Sequence, residues 1–247
     1  MPRLAAMTLA ALGVAIVSPP VAAQTFLGRL GGACTSLPAN HQQMVPLGTA
    51  ISAGSTLIVT VAASSNFVSG LEIDDVQGNR YQALGGVSQS ATGALIHFRS
   101  PLQRGLAAGS VLMLSYENAG AAVDSCVSVL GYSGIPFGNI VQETLGTASG
   151  QSTSPQVSAN AAGSATRKLV LGAFATAGNP GNVSAQSPAS ALPVLCAAGN
   201  AFCLVDAQYF DDVAGTASVA VTTENSIAWS AALATLQADG IFGNGFD

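Results

Sequence analysis

Four cysteines are the residues whose chemistry follows most directly from number and spacing. Cys34, Cys126, Cys196 and Cys203 form an even set, which in an exported chain indicates two disulfides out of three possible pairings. The residues between Cys196 and Cys203 include a Gly-Asn turn signal, so this pair closes most simply and leaves Cys34 to pair with Cys126. No two cysteines have the C-x-x-C spacing of a zinc site.

Oxygen ligands for a hard cation occur at one predicted turn. Asp74, Asp75 and Asn79 bring carboxylate and amide oxygens together over a short stretch, which is the chemistry that Ca²⁺ prefers. The repeated D-x-D spacing of calcium loops is missing, so the alternative is a solvated turn. Calcium at these residues is the only cofactor that the sequence suggests.

The residues available for catalysis are few, and we predict no catalytic residue. The chain has only two histidines, His41 and His97, so a site built from three histidines is excluded. Ser133 lies in the sequence Gly-Tyr-Ser-Gly-Ile, whereas a nucleophile elbow requires glycine in place of the isoleucine. A triad of Ser133, His97 and Asp124 has no supporting motif.

Paired carboxylates are the alternative route to an enzyme. Glu72 and Asp74 share one face of a predicted strand, with Asp75 on the other face, and Asp211 and Asp212 follow a later strand. Glycoside hydrolases need two carboxylates across a cleft that binds the sugar, and aromatic side chains commonly line such clefts. One Trp and four Tyr supply that lining poorly. Hydrolysis of an extracellular polymer is therefore the alternative to a binding function.

The charge content excludes several partners. Only 8% of the residues are charged, with 7 basic against 12 acidic side chains, whereas about 25% is usual for soluble proteins. Such a chain lacks the basic surface that binds nucleic acid. Its exterior must consist largely of small and neutral polar side chains, which suits an extracellular β-protein better than a helical bundle.

Residues 1–23 have the pattern of a cleaved bacterial signal peptide. Arg3 gives a positive start, residues 4–17 form an apolar run, and Val21-Ala22-Ala23 offers small residues before a cut at Gln24. Prolines end the apolar run before the roughly 18 residues that a membrane anchor needs. We therefore predict no stable membrane insertion and a location that is extracellular, on the cell surface or periplasmic.

Short strand patterns separated by small-residue turns run through the rest of the chain, without sustained helical periodicity. Residues 68–76 and 80–84 flank Gln77-Gly78-Asn79 and predict a hairpin, while a Ser/Thr/Gly-rich bridge at 146–154 separates two halves. Alternation around Trp229 in the last strand places that side chain in the core. We predict an all-β, antiparallel, two-sheet β-sandwich that forms a single domain over residues 24–238.

A faint internal repeat links the two halves. Residues 57–66 and 169–179 are both apolar strands that end in a small-residue loop with Asn, and residues 108–118 resemble 214–225 in the same way. Two explanations stay open: a true duplication, or the general likeness of strand-turn-strand units in proteins of low charge.

A series of individually short motifs carries a family resemblance. In chain order they are Gly54 to Val61, Asp75 to Tyr81, Ala108-Gly109, Tyr132-Ser133-Gly134, Leu169 to Ala173, and Trp229. The series resembles a family of jelly-roll-like β-sandwich modules of secreted bacterial proteins, over about residues 49–236. That resemblance implies the fold and export and carries over no catalytic residue. The segment from Cys196 to Cys203 departs from the pattern as a local elaboration.

The last residues, 239–247, have the form I-F-x-x-G-F-acidic and resemble a tail that ends many exported proteins of Gram-negative bacteria. We expect a flexible segment, because its three glycines make the backbone costly to order. It is either a recognition tag or a plain terminus.

Three functions are compatible with these observations. The main prediction is a non-enzymatic extracellular or cell-surface module that binds a glycan, a matrix component or an envelope protein. The alternatives are the acid-dependent hydrolase and a structural protein that associates with itself.

Overall fold

A computed structural model describes residues 24–37, 41–64, 70–90, 92–116, 123–134, 141–161, 168–212 and 215–237. The predicted signal peptide (1–23) and tail (239–247) lie outside these residues. Within them the chain forms antiparallel strands and one short 3-10 turn, Ala198–Asn200, which confirms the all-β prediction. No helix in these ranges has the length and apolar character needed to cross a membrane.

The first half of the described chain, residues 24–134, is called module 1. Its strands are β1 Thr25–Leu37, β2 Gln42–Pro46, β3 Thr56–Ala63, β4 Glu72–Asp75, β5 Gln82–Ser90, β6 Gly93–Pro101, β7 Val111–Ser115 and β8 Val123–Ser133. They form two antiparallel sheets. Inner sheet 1 has the order β1-β8-β3-β6-β5, and outer sheet 1 has the order β2-β7-β4.

The second half, residues 141–237, is called module 2. Its strands are β9 Val141–Ser152, β10 Gln156–Ala161, β11 Lys168–Ala177, β12 Val183–Ala185, β13 Ser190–Ala191, β14 Leu195–Cys196, β15 Phe202–Asp211, β16 Gly215–Thr223 and β17 Ile227–Gln237. Inner sheet 2 has the order β9-β17-β11-β15-β13, with β14 also paired to β15. Outer sheet 2 has the order β10-β16-β12.

The two modules share one strand order. If β9 to β13 and then β15 to β17 are taken as counterparts of β1 to β8, both sheets of module 1 are reproduced in module 2. The order 1-8-3-6 in one sheet against 2-7-4 in the other is that of a jelly roll. The two-sheet sandwich therefore occurs twice. The segments that echo each other in sequence fall on corresponding strands, β3 with β11 and β7 with β16.

Each module has its own hydrophobic core between its inner and outer sheets. In module 1 this core includes Leu57, Val59 and Leu112. In module 2 it includes Phe174 and Trp229, whose rings pack edge to face with centroids 6.3 Å apart. Trp229 is thus a core residue, as the alternation in the last strand predicts.

The inner sheets also pack against each other. Two further clusters join them, one containing Ile58 and Tyr132 of module 1 with Leu169 and Leu171 of module 2, the other built around Phe202. The molecule is therefore a four-layer stack with an outer sheet at each end. The central strands β3 and β11 of the inner layers are buried on both faces and have largely apolar sequences. All eight residues of β3 are buried, whereas β2 alternates between exposed and buried.

Two local expectations are wrong. Residues 77–79 do form a turn, but β4 pairs with β7 in the outer sheet while β5 pairs with β6 in the inner sheet, so the turn crosses between layers and makes no hairpin. The expected bridge at 146–154 is largely strand, because residues up to Ser152 belong to β9 and pair with β17. Small residues suit this edge strand, since a Cβ on Gly146 would lie 2.3 Å from the Ser158 carbonyl oxygen of β10.

Candidate functional site

Both predicted disulfides are present. Cys34 and Cys126 are directly opposed on β1 and β8, and Cys196 and Cys203 are directly opposed on β14 and β15. The Cys126 Sγ lies 3.8 Å from the carbonyl oxygen of Leu195 and 3.9 Å from that of Phe202. The two crosslinks therefore flank the contact between the modules, one in each inner sheet.

A row of polar side chains crosses the contact between the inner sheets. It consists of Arg29, Thr60, His97, Ser128 and Asp206, and we call it the buried polar row. The Arg29 guanidinium donates to Asp206 Oδ2 and to Ser128 Oγ, each at 2.9 Å. The first of these bonds is an ion pair that ties β1 of module 1 to β15 of module 2.

His97 belongs to this row and is cut off from solvent. Its Nδ1 lies 3.0 Å from Thr60 Oγ1, and only 1% of the residue is exposed. Burial lowers the pKa of the His97 imidazole, with opposing contributions from the charge of Asp206 and from the backbone of Ala232. The side chain is therefore held neutral inside the protein and has no access to substrate.

The structure does not bring a serine triad together. Ser133 and Asp124 lie near opposite ends of β8, about 30 Å apart at the rise of a strand. His97 faces the other module, and Asp124 Oδ1 accepts a hydrogen bond from Ser36 Oγ.

The predicted calcium turn is closed by its own hydrogen bonds. Asp75 Oδ1 accepts from the backbone N–H of Gln77 (2.8 Å) and of Asn79 (3.2 Å), while Oδ2 accepts from Asn79 Nδ2 (2.9 Å) and Tyr81 OH (2.7 Å). Asn79 Oδ1 in turn accepts from the backbone N–H groups of Gln103 and Arg104. This network holds the crossing between β4 and β5 against the loop that follows β6.

The electrostatics of the turn follow from these bonds. Partial burial acts to raise the pKa of Asp75, but the hydrogen bonds from Asn79, Tyr81 and Gln77 outweigh it and lower the pKa overall. Burial and the bond to Asp75 raise the pKa of Tyr81. Asp74 projects to the exposed side of β4, and the described residues contain no group of three or more His, Cys, Asp or Glu that could hold a metal ion. Calcium stays a prediction, and the turn has a structural role without it.

A cleft with a volume of about 480 Å³ opens beside β4. We call it the β4 cleft. Its base is apolar, with Ile73 and Phe98 buried beneath it and Tyr81 half-buried at its side, while Glu72, Asp74 and Arg80 border it. These three charged residues are exposed. The cleft therefore has the phenol ring of Tyr81, the carboxylates of Glu72 and Asp74, and the guanidinium of Arg80 around an open depression.

The structure separates the acids considered as hydrolytic pairs. Glu72 and Asp74 both border the β4 cleft in outer sheet 1. Asp211 ends β15 in inner sheet 2, and Asp212 follows it. A full inner layer of module 1 lies between these two groups, so they do not share a site.

The outward surfaces of the two outer sheets differ although their topology is the same. On outer sheet 1 the outward residues of β2 and β7 include Met44, Met113 and Val111, and we call this surface outer face 1. On outer sheet 2 the outward side chains of β10, β16 and β12 are neutral and mostly polar, and we call this surface outer face 2. Its exposed members are Gln156, Ser158, Asn160, Thr216, Ser218, Thr222 and Ser184. Distinctive chemistry is thus concentrated on module 1.

Comparison with family models, with curated proteins and with solved structures gives no match for this chain. The candidate site rests on its own geometry.

Proposed function

We propose that the protein is a secreted, non-enzymatic binding module of the cell surface or extracellular space, and that it holds a glycan in the β4 cleft. The observation that carries this proposal is the grouping of Tyr81, Glu72, Asp74 and Arg80 around one open depression. Carbohydrate ligands need an apolar surface for the sugar ring and charged or polar groups that hydrogen bond to hydroxyls, and this cleft offers both.

The turn that borders the cleft is held by several hydrogen bonds. This favours a preformed binding site over a site on a mobile loop. Asp75 and Asn79 fix the turn from which Arg80 and Tyr81 project, through the hydrogen bonds to Gln77, Tyr81 and the backbone after β6. A ligand therefore meets groups that are already ordered, and the entropic cost of binding falls.

Module 2 offers an internal comparison. Its counterpart of β4 is β12, a strand of three residues whose outward side chain is Ser184. No charged side chain occurs on that strand. Because the two modules share a topology, the charged residues of the β4 cleft are a local difference between their outer sheets, which supports placing the proposed binding there.

Export is supported by the leader pattern and by the two disulfides, which are typical of oxidising compartments. N-terminal sequencing of the protein recovered outside the cytoplasm should begin at Gln24. Intact residues 1–23 on the recovered protein would contradict the cleavage, and a protein confined to the cytoplasm would contradict the location.

The test of binding is a glycan array followed by polysaccharide pull-down with the exported protein. Arg80→Ala and Glu72→Gln should weaken retention of the bound glycan by roughly 10- to 100-fold, because a hydrogen bond to a charged group contributes about 1.5–3 kcal/mol. Ser184→Ala is the matched control on module 2 and should bind as the unaltered protein does. Equal losses in all three variants, or no glycan retained by the unaltered protein, would overturn the proposal.

The same assay decides the calcium prediction. Retention that disappears with a chelator and returns with Ca²⁺ would assign the ion to the Asp74, Asp75 and Asn79 turn, provided that Asp75→Asn abolishes the response. Retention that ignores the chelator fits a turn closed by hydrogen bonds alone.

One observation favours hydrolysis as a second candidate. Glu72 and Asp74 border the same cleft and lie two residues apart, about 6.6 Å along a strand, within the carboxylate range of inverting glycosidases. They project from the same strand, however, and a hydrolase places its acids on opposite sides of the scissile bond. Release of reducing ends from a retained glycan, lost in both Glu72→Gln and Asp74→Asn, would establish the hydrolase.

A further inference from the structure

Methionine is rare and unevenly placed in this chain. Of its four methionines, Met1 and Met7 fall in the leader, and only Met44 and Met113 belong to the folded part. These two lie on different strands, 69 residues apart in sequence, yet the register of β2 and β7 makes them direct cross-strand partners. The exported protein therefore carries its only two thioethers side by side.

Both side chains belong to outer face 1. Gln43 and Val45 fill the core side of β2, so Met44 points outward, and 64% of it is exposed. Met113 lies on the outward side of β7 and is partly exposed. Directly opposed residues of an antiparallel pair have Cβ atoms about 4.5–5.5 Å apart, and the methionine side chain is unbranched with three rotatable bonds. The two Sδ atoms can therefore converge on one small ion.

The surroundings of the pair are negatively charged. Asp74 is the direct neighbour of Met113 on β4, and Glu72 is the neighbour of Ser115 one row away. The strands β2, β7 and β4 contain no Lys, Arg or His. The charges on these three strands therefore favour cations, although the guanidinium of Arg80 borders the β4 cleft beside Asp74.

We propose that Met44 and Met113 form a binding site for a soft monovalent cation, Cu(I) or Ag(I). Thioether sulfur is a soft ligand that selects Cu(I) over hard ions such as Ca²⁺ and Mg²⁺, which require oxygen. The carboxylates of Asp74 and Glu72 add favourable charge, while the two sulfurs supply the selectivity. This site is independent of glycan binding in the β4 cleft, although Asp74 borders both.

The test uses the exported protein labelled with ¹³C at the methionine methyl groups, which gives one signal for each of the two residues. Titration with silver nitrate in chloride-free buffer should shift both signals together and saturate at one equivalent. CaCl₂ and ZnCl₂, added to separate samples in place of silver, should leave both signals in place. Signals that titrate at different silver concentrations, or that do not move, would refute a shared site.

Variants distinguish one shared silver site from two methionine side chains that bind silver independently. Leucine conserves the volume of methionine, so Met44→Leu should keep the fold while raising the silver concentration needed to shift Met113 by about 10-fold or more, because one of two linked ligands is lost. Val111→Leu, also on outer face 1, is the matched control and should leave the titration unchanged. An unaltered Met113 titration in Met44→Leu would overturn the proposal.

A copper arm completes the test. Under anaerobic conditions the unaltered protein should withdraw one equivalent of Cu(I) from a coloured competing chelator, and the Met44→Leu/Met113→Leu double variant should withdraw none. Met44→Leu and the double variant should both retain the glycan binding of the β4 cleft. Failure of this proposal is therefore distinguishable from failure of the proposed function. Equal withdrawal by the double variant would place any copper elsewhere and refute the site.

Discussion

The buried polar row crosses the contact between the inner sheets, where Tyr132 OH also donates a hydrogen bond to Gln208 Oε1. Arg29 and Asp206 form an ion pair, while His97 is bonded to Thr60 on the neighbouring strand. Polar groups in such a place are stable only with partners, because an unpaired one loses the hydrogen bonds that water would give it. The row therefore favours one alignment of the two sheets, and it contains a histidine whose pKa is lowered by burial.

His97 should make the protein less stable in mild acid. Burial lowers its folded pKa, so the native state resists a proton that the unfolded chain accepts near its ordinary pKa of about 6.5. The contribution of neutral His97 to the free energy of unfolding is present above about pH 6.5 and is lost as the pH falls below it. The slope is at most about 1.4 kcal/mol per pH unit for one proton. Urea unfolding of the unaltered protein and of His97→Gln between pH 7.5 and 5 measures this slope.

The variant should show a flatter dependence of the free energy of unfolding on pH in that window, whatever its stability at pH 7.5. His41→Gln serves as the control, because His41 is partly exposed at the start of β2. Parallel curves for the unaltered protein and His97→Gln would show that His97 does not carry the effect.

At the scale of strands, the accuracy of the sequence predictions depended on the layer. The inner strands β3 and β11 are continuous apolar runs and were predicted within one residue at the start. Strand β1 was missed because its glycines interrupt any alternation. Strand β10 was missed although polar and apolar residues alternate along it, because two of its three apolar residues are alanine, a type depleted in strands. The hairpin at 77–79 was wrong because a local turn signal does not specify which sheet receives the next strand. The two cysteine pairings followed from the turn signal between Cys196 and Cys203, which left Cys34 for Cys126. The β4 cleft could not be predicted in this way, because it depends on long-range packing of Phe98 and Tyr81.

A substitution at Gly146 tests the close approach of β9 to β10, in the segment that was expected to be a bridge and is a strand. A Cβ at this position would lie 2.3 Å from a backbone oxygen of β10, and backbone cannot rotate away as a side chain can. Gly146→Ala should therefore reduce the free energy of unfolding by about 1–3 kcal/mol. Chemical denaturation measures the change.

Gly48→Ala is the matched control, since its added Cβ would meet the Leu30 carbonyl oxygen at an ordinary 3.6 Å. It should change the stability by less than about 0.5 kcal/mol. Equal effects at both positions would mean that the close approach of β9 and β10 does not limit stability.

At the scale of the whole molecule, the two jelly rolls share hydrophobic clusters and are not independent folding units. Ile58 and Tyr132 of module 1 pack with Leu169 and Leu171 of module 2, and the ion pair from Arg29 crosses the same contact. Separation of the modules would expose these apolar surfaces to water. The free energy of each module therefore depends on the other.

Unfolding should accordingly be a single cooperative transition. Differential scanning calorimetry of the protein with intact disulfides should give one peak, with a calorimetric enthalpy equal to the van't Hoff enthalpy. Leu171→Lys, which places a charge in the contact, should lower the transition temperature strongly, whereas Ser158→Lys on outer face 2 should leave it nearly unchanged. Two separate peaks in the unaltered protein would contradict this coupling.

The four-layer stack also divides the chain into regions of unequal mutational tolerance. Strands such as β3 have no side chain free of contacts, so a substitution there disturbs either the core of a module or the contact between modules. Every second residue of β2 and β16 faces outward and can change without such cost. Substitutions are therefore tolerated best on the two outer sheets, at the ends of the stack. A repeated architecture of this kind lets one end acquire new chemistry while the other stays neutral, as outer faces 1 and 2 already differ.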